Sequence, residues 1–173
     1  MSQNLTTSKK PIKKFEEMDD AEKRVAIARD VIVHLNLVKP SQGTYCYRSR
    51  PKGIRGRDSA QNYIDKISKD CDVCALGACF LSYIRLNNQV KVHEVIGKKG
   101  YNLNHVSVGQ YLIQQKLGSY FTSEQLNVIE SAFENYHCED QCDEYDDLGK
   151  TPKARLRNIM RNIIKNKGEF IYD

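Results

Sequence analysis

The residues best suited to chemistry in this chain are its six cysteines and four histidines. Cys71-x-x-Cys74 has the spacing of a metal-binding knuckle, and Cys79 follows it. His137-Cys138-x-x-x-Cys142 offers a second half. Zinc takes four tetrahedral sulfur or nitrogen ligands from two such halves, so Cys71, Cys74, Cys138 and Cys142 form the candidate set for a structural zinc. The second half is irregular, because it is not Cys-x-x-Cys. The first half runs into an apolar stretch, where thiols serve as small buried hydrophobes. Buried thiols are therefore the plainer reading, with no cofactor, and zinc is the alternative. A redox Cys-x-x-Cys is a third reading, but it needs a strand-to-helix setting that this stretch does not announce. Nucleophilic catalysis would pair Cys46 or Cys71 with His93, His105 or His137. No neighbouring sequence supplies an oxyanion hole or an orienting acid. No reaction is identified, and a non-enzymatic role is the expectation.

Charge supplies the second group of candidates. The net charge of +5 conceals segregation. Residues 1–70 hold 15 basic and 9 acidic side chains, and residues 71–121 hold 5 and 2. Residues 122–150 hold 1 and 9, and residues 151–173 hold 6 and 2. The stretch Arg48-Ser-Arg-Pro-Lys-Gly-Ile-Arg-Gly-Arg57 carries five cations and no acid. A loop of this kind is not expected to pack in a core. Arg48, Arg50, Lys52, Arg55 and Arg57 follow Tyr45 and Tyr47, and arginine forks suit phosphates while tyrosine faces stack on bases. Lys153, Arg157, Arg161 and Lys165 recur at four-residue steps near the end of the chain. If the two surfaces adjoin, they make one face for a nucleic acid or nucleotide phosphate, with Arg157 and Arg161 at its centre. Gly97-Lys-Lys-Gly100 lacks the spacing and the hydroxyl of a P-loop. The acidic run Glu139, Asp140, Asp143, Glu144, Asp146, Asp147 fails as a calcium loop, since counting from Asp143 puts Leu148 where glycine is needed and Ala154 where glutamate is needed. It reads as a solvated loop, or as a contact for a basic partner surface.

The elements that must position these groups centre on Cys71–Ile84. From Val73 to Ile84 only Ser82 is strongly polar. A run of twelve residues is too short to cross a bilayer, which takes about 20. Ala, Leu and Phe favour a helix, and one apolar on every side must be covered on every side. A buried central helix near residues 71–86 follows. Around it, a helix is expected over 15–38, with Met18, Val25, Ala28, Ile32 and Leu35 as its stripe and Lys39-Pro40 as its stop. His34 lies beside that stripe as a packed structural histidine. A strand is expected over 43–47, a short amphipathic helix over 59–69 capped by Asp58, and weak strand alternation over 90–96. Further helices are expected over 106–118, from the Thr122/Gln125 capping box to about Tyr136, and from Thr151-Pro152 to Gly168. Leu156, Ile159, Met160, Ile163 and Ile164 give that last helix the strongest periodicity in the chain. Phe170-Ile171-Tyr172 is expected to dock back as an edge strand.

The fold class is therefore mainly α, with α+β as the alternative: five or six helices and a few short strands in one compact domain over 15–173. Residues 1–14, rich in lysine, are expected to form a disordered basic arm. With no apolar core at its start the chain reads as lacking a secretory signal, so reduced thiols and a cytoplasmic setting are expected, with no membrane association.

Three segments carry a family likeness: Arg24-Val-Ala-Ile-Ala-Arg-Asp-Val-Ile, Ser41-Gln-Gly-Thr-Tyr, and Cys71-Asp-Val-Cys-Ala-Leu-Gly-Ala-Cys-Phe-Leu-Ser. With Tyr120-Phe-Thr-Ser-Glu-Gln-Leu-Asn-Val-Ile-Glu-Ser-Ala-Phe-Glu and the ending Ile159-Met-Arg-Asn-Ile-Ile-Lys-Asn-Lys-Gly-Glu-Phe, the chain resembles small proteins encoded by bacteriophages and prophages, over residues 20–170. The resemblance brings no catalytic residues with it. It implies an accessory protein in a bacterial host cytosol, a setting in which small proteins block host defence systems. The leading expectation is a non-enzymatic binding protein that inhibits a bacterial defence effector, with a host protein or defence complex as partner. The alternative is a nucleic-acid or nucleotide-phosphate binder using the basic loop and last helix.

Overall fold

The computed structural model describes residues 13–47, 52–87, 89–96, 106–134 and 145–172. Seven α-helices occur among them: α1 Asp20–Val33, α2 Ile64–Ser68, α3 Ala75–Leu86, α4 Val92–Val95, α5 Val106–Leu117, α6 Ser123–Glu134 and α7 Pro152–Lys165. Three strands, β1 Val38–Pro40, β2 Cys46–Tyr47 and β3 Cys71–Val73, form one small sheet in the order β1-β3-β2. The domain is mainly α, with a minor sheet.

The central helix is present, but it is shorter than its apolar run. Residues 71–73 are not its first turn; they are the middle strand of the sheet. β1 runs parallel to β3 with Val38 opposite Cys71, and β2 runs antiparallel with Cys46 opposite Val73. Cys71 and Val73 point into the core while Asp72 is half-buried, the alternation a pleat imposes. Cys74 caps α3, its sulfur accepting from Gly77 N at 3.4 Å. From Ala75 to Ile84 every residue of α3 is buried. The Ser82 hydroxyl donates to the Ile27 carbonyl of α1 at 3.1 Å, which satisfies it without water. Helices α1, α5, α6 and α2 and the sheet cover this helix on its several sides.

α1 starts where a capping box sets it. Glu22 N donates to the Asp19 carboxylate at 2.8 Å, and Asp19 N donates back to Glu22 at 3.0 Å. It stops at Val33, six residues before the Lys39-Pro40 brake, because Val38–Pro40 is drawn into the sheet. The Thr122/Gln125 box and the Thr151-Pro152 start form as expected, at 3.0 and 3.1 Å and at 3.2 Å from Ala154 N. α7 lays Leu156, Ile159, Met160 and Ile163 on α1 and α6. Its C-terminus closes in a Schellman arrangement, with Gly168 N on Ile163 O at 2.8 Å and Lys167 N on Ile164 O at 3.3 Å. The left-handed residue there is Lys167, at φ 54°, beside Gly168 at φ 106°.

Several expectations are corrected. Val92–Val95 is a single helical turn rather than a strand. Four residues carry too short an alternation to separate the two. Residues 59–69 split into a 3-10 turn, Ala60–Tyr63, and α2, and the Asp58 carboxylate accepts from Arg55 N instead of capping them. The tail Phe170–Tyr172 docks back, but not as a strand: Asn162 brackets the Ile171 backbone, donating to its oxygen at 2.6 Å and accepting from its nitrogen at 3.0 Å. Of the expected basic arm, Lys13 and Lys14 already belong to the fold, with Lys13 paired to Glu22 at 2.7 Å. The rest of the arm, residues 1–12, lies outside the described residues.

Candidate functional site

The described cysteines separate into different surroundings. Cys46, Cys71, Cys74 and Cys79 are all buried. Cys71 does not face Cys74. Its sulfur sits 2.8 Å from that of Cys46 across the β2–β3 pair. The Cys71 thiol beside it and burial push the Cys46 thiol well up. Burial also raises Cys74, despite its place at a helix N-terminus, and lifts Cys79 to about 12. Burial thus outweighs the helix dipole here, and none of these three thiols is poised as a nucleophile. The strand-to-helix setting of β3, Cys74 and α3 does exist, although the sequence did not announce it. Among the described residues no three or more His, Cys, Asp or Glu side chains gather as metal ligands. Cys138 and Cys142 lie outside the described residues, as do His105 and His137. His93 is exposed on α4 and its Nδ1 contacts the Gly56 carbonyl at 2.8 Å. His34 is half-buried against Asp30, 2.9 Å from its carbonyl and 3.1 Å from its carboxylate.

The basic loop is more ordered by its neighbours than its composition implies. Arg48 and Arg50 lie outside the described residues, whereas Lys52, Arg55 and Arg57 are exposed. Ile54, between them, is buried, so this loop does contribute to the core. The loop is pinned to α4: Val92 N donates to Asp58 O at 3.0 Å and His93 N to Gly56 O at 2.9 Å. Tyr45 packs on the core and Tyr47 is exposed.

α7 places its cations differently. Its sequence, PKARLRNIMRNIIK, contains no acid. Lys153, Arg161 and Lys165 are exposed and Arg157 is half-buried, while Arg155 turns inward and donates to the Phe133 carbonyl at 2.7 Å. Lys153 reaches the Asn36 side chain at 2.8 Å. Arg157, Arg161 and Lys165 meet no acid at ion-pair distance among the described residues. At 1.5 Å per residue the row from Lys153 to Lys165 covers about 18 Å. Beside the end of α7 an open groove of about 540 Å3 runs along α1, floored by Met18, Val25, Ala26 and Ile164 and rimmed by the cations Lys13, Arg29 and Lys167 and by the acids Asp19 and Glu22, of which Glu22 is paired with Lys13. Periodicity alone found the cations of α7, but not the apolar groove beside them, which exists only because α1 packs on α7. The 52–57 loop rests on α4, and α7 rests on α1, α6 and β1, so no single element carries both cationic surfaces.

Of the acidic candidates, Glu139, Asp140, Asp143 and Glu144 lie outside the described residues. Asp146 opens a 3-10 turn, Asp146–Leu148, and Asp147 accepts a hydrogen bond from the Tyr172 hydroxyl. Sequence reasoning passed over Glu134. It is buried at the end of α6, and its carboxylate accepts from Gly43 N at 2.8 Å. Desolvation raises its pKa in spite of that hydrogen bond.

No helix among the described residues is long and apolar enough to cross a membrane. Comparison with protein-family models, with curated proteins and with solved structures finds no match to this chain.

Proposed function

We propose that the protein is a non-enzymatic binding protein of the bacteriophage accessory kind, which docks on a host protein and inhibits a bacterial defence effector. The observation that carries the docking surface is the α7 face: Arg157, Arg161 and Lys165, without acidic partners among the described residues, beside an apolar-floored groove of mixed-charge rim. Cations flanking apolar surface complement a protein that offers carboxylates around an apolar patch. The likeness to phage-encoded proteins supplies the biological setting. Raised thiol pKa values and the absence of any assembled base beside the described cysteines support a role without catalysis.

A second reading, a nucleic-acid or nucleotide-phosphate binder, is favoured by one specific feature. α7 has no carboxylate to repel phosphates, and Arg157 and Arg161 carry bidentate forks.

One experiment separates the two. Tagged protein and the variant Arg157→Glu/Arg161→Glu are passed through bacterial lysate, with and without nuclease, and bound material is identified and quantified. Purified partner is then assayed with and without added protein. A stoichiometric protein that survives nuclease, is lost at least tenfold in the variant and loses activity when the protein is added supports inhibition. Binding abolished by nuclease and falling steeply with salt transfers the proposal to nucleic acid. Turnover of nucleotides or peptides by the purified protein refutes both.

A further inference from the structure

Cys46 and Cys71 lie on neighbouring antiparallel strands, and both are buried. Cys46 stands opposite Val73, so Cys71 is its diagonal neighbour, two residues along β3 and on the same face of the sheet. In a pleated pair these are the positions whose side chains share a face, and twist draws one diagonal together. The two sulfurs are 2.8 Å apart. A disulfide spans about 2.05 Å, so a shift of about 0.8 Å closes the gap. Cys74, the other half of the Cys-x-x-Cys spacing, is turned away to accept from Gly77 N.

We propose that Cys46 and Cys71 form a reversible disulfide when the protein meets a peroxide or a low-molecular-weight disulfide. With a peroxide, once the β2 edge has opened and water reaches the sulfurs, one thiolate attacks the O–O bond, giving a sulfenic acid and hydroxide. The second sulfur then displaces the sulfenic hydroxyl, and the two thiol protons leave in two waters. With a disulfide oxidant, two exchange steps transfer the same two electrons and release two thiols. Access comes from the sheet edge. β2 is two residues long and, among the described residues, pairs with β3 alone, so a local opening of this edge reaches the two sulfurs. An open depression lined by Ser41, Thr44, Tyr47 and Asp72 lies beside it. Closing the bond staples this edge strand to the centre of the sheet. The inference stands apart from the docking proposal and survives its failure.

The full-length protein is treated with oxidised glutathione or hydrogen peroxide, denatured, and alkylated without reductant. Wild type is expected to take up alkylating agent on four of its six cysteines and to lose about 2 Da, both reversed by dithiothreitol. Peptide mapping is expected to join Cys46 to Cys71, and amide exchange at residues 46–47 to slow at least tenfold in the oxidised form. Cys46→Ser, and Cys46→Ala as a second variant on the edge strand, are expected to show no such pair. Six alkylated thiols after oxidation, a crosslink between any other pair, or a stoichiometric zinc held on Cys71 overturns the proposal.

Discussion

Replacing Gly77 by alanine tests how closely the sheet is pressed onto the central helix. Gly77 sits in the first turn of α3, and a Cβ there would fall inside the Tyr45 carbonyl, on backbone atoms that cannot swing aside as a side-chain tip can. The Tyr45 peptide must move, and β2 follows it directly in the chain. The hydrogen bond from Cys74 N to Thr44 O and the two-residue pairing of β2 with β3 are lost or stretched. Each such bond is worth about 1 kcal/mol net, and a buried N–H left without a partner costs about 1–3 kcal/mol. Alanine's helix preference returns at most about 1 kcal/mol. The balance is a destabilisation of about 2–4 kcal/mol, the range expected when a core is overpacked and local hydrogen bonds are broken. At roughly 2–4 °C per kcal/mol for a chain of this size, the melting temperature should fall by roughly 4–16 °C. Urea denaturation gives the free energy, and amide exchange at Cys46 and Tyr47 localises the loss. A variant within about 0.5 kcal/mol of wild type, or more stable by about 1 kcal/mol as propensity alone would have it, refutes the close approach of the 45–47 segment to α3.

Other substitutions probe the ends of the bundle. Lys167 holds a left-handed conformation at φ 54°, so Lys167→Gly should stabilise by about 0.5–1 kcal/mol in the same urea titration. Arg24 donates to Gly168 O at 2.8 Å, to Tyr120 O at 2.7 Å and to the Glu169 carboxylate at 2.6 Å, so Arg24→Ala should cost about 2–4 kcal/mol. Most of that loss comes from the two carbonyls, because Glu169 is half-exposed and screened, and Arg24→Lys, lacking the fork, should recover less than half of it. Glu134 predicts a pH effect. Its folded pKa lies above the ordinary 4.5, so the folded chain holds more protons than the unfolded one just above that pH. Its contribution therefore weakens stability as pH rises from 4.5 through the raised value, and Glu134→Gln should flatten that slope in denaturation curves measured across the window.

What the sequence discloses depends on how many residues share a pattern. α7 repeats its apolar positions over two turns and more, and α6 and α7 both open with a side-chain cap, so their starts are visible in the residue types alone. α3 is visible as a long apolar run. Cys71–Val73 is not, because three residues have no period to distinguish a strand from the helix they precede. β3 is a strand because Val38–Pro40 and Cys46–Tyr47, distant in the chain, supply its hydrogen bonds. The closeness of Cys46 and Cys71 was hidden for the same reason: the sequence separates them by 25 positions and only strand register brings them together. Ile54 shows the converse error, since a run of cations disguised one buried anchor within it. The α7 cations were legible through their four-residue spacing, and the groove beside them was not, because two ends of the domain build it.

Among the described residues α1 and α7 make the broadest helix–helix contact, although α7 follows α1 at a long distance in the chain. About 120 residues separate the end of the first from the start of the second, which a ribosome adds in about 6–24 s. Throughout that interval the side of α1 that meets α7 has no α7 to rest on. The nascent chain must carry a half-covered core until α7 emerges, and in this window it is open to chaperones and proteases. Slowing translation between α6 and α7 would therefore lower the yield of folded protein without changing a single residue.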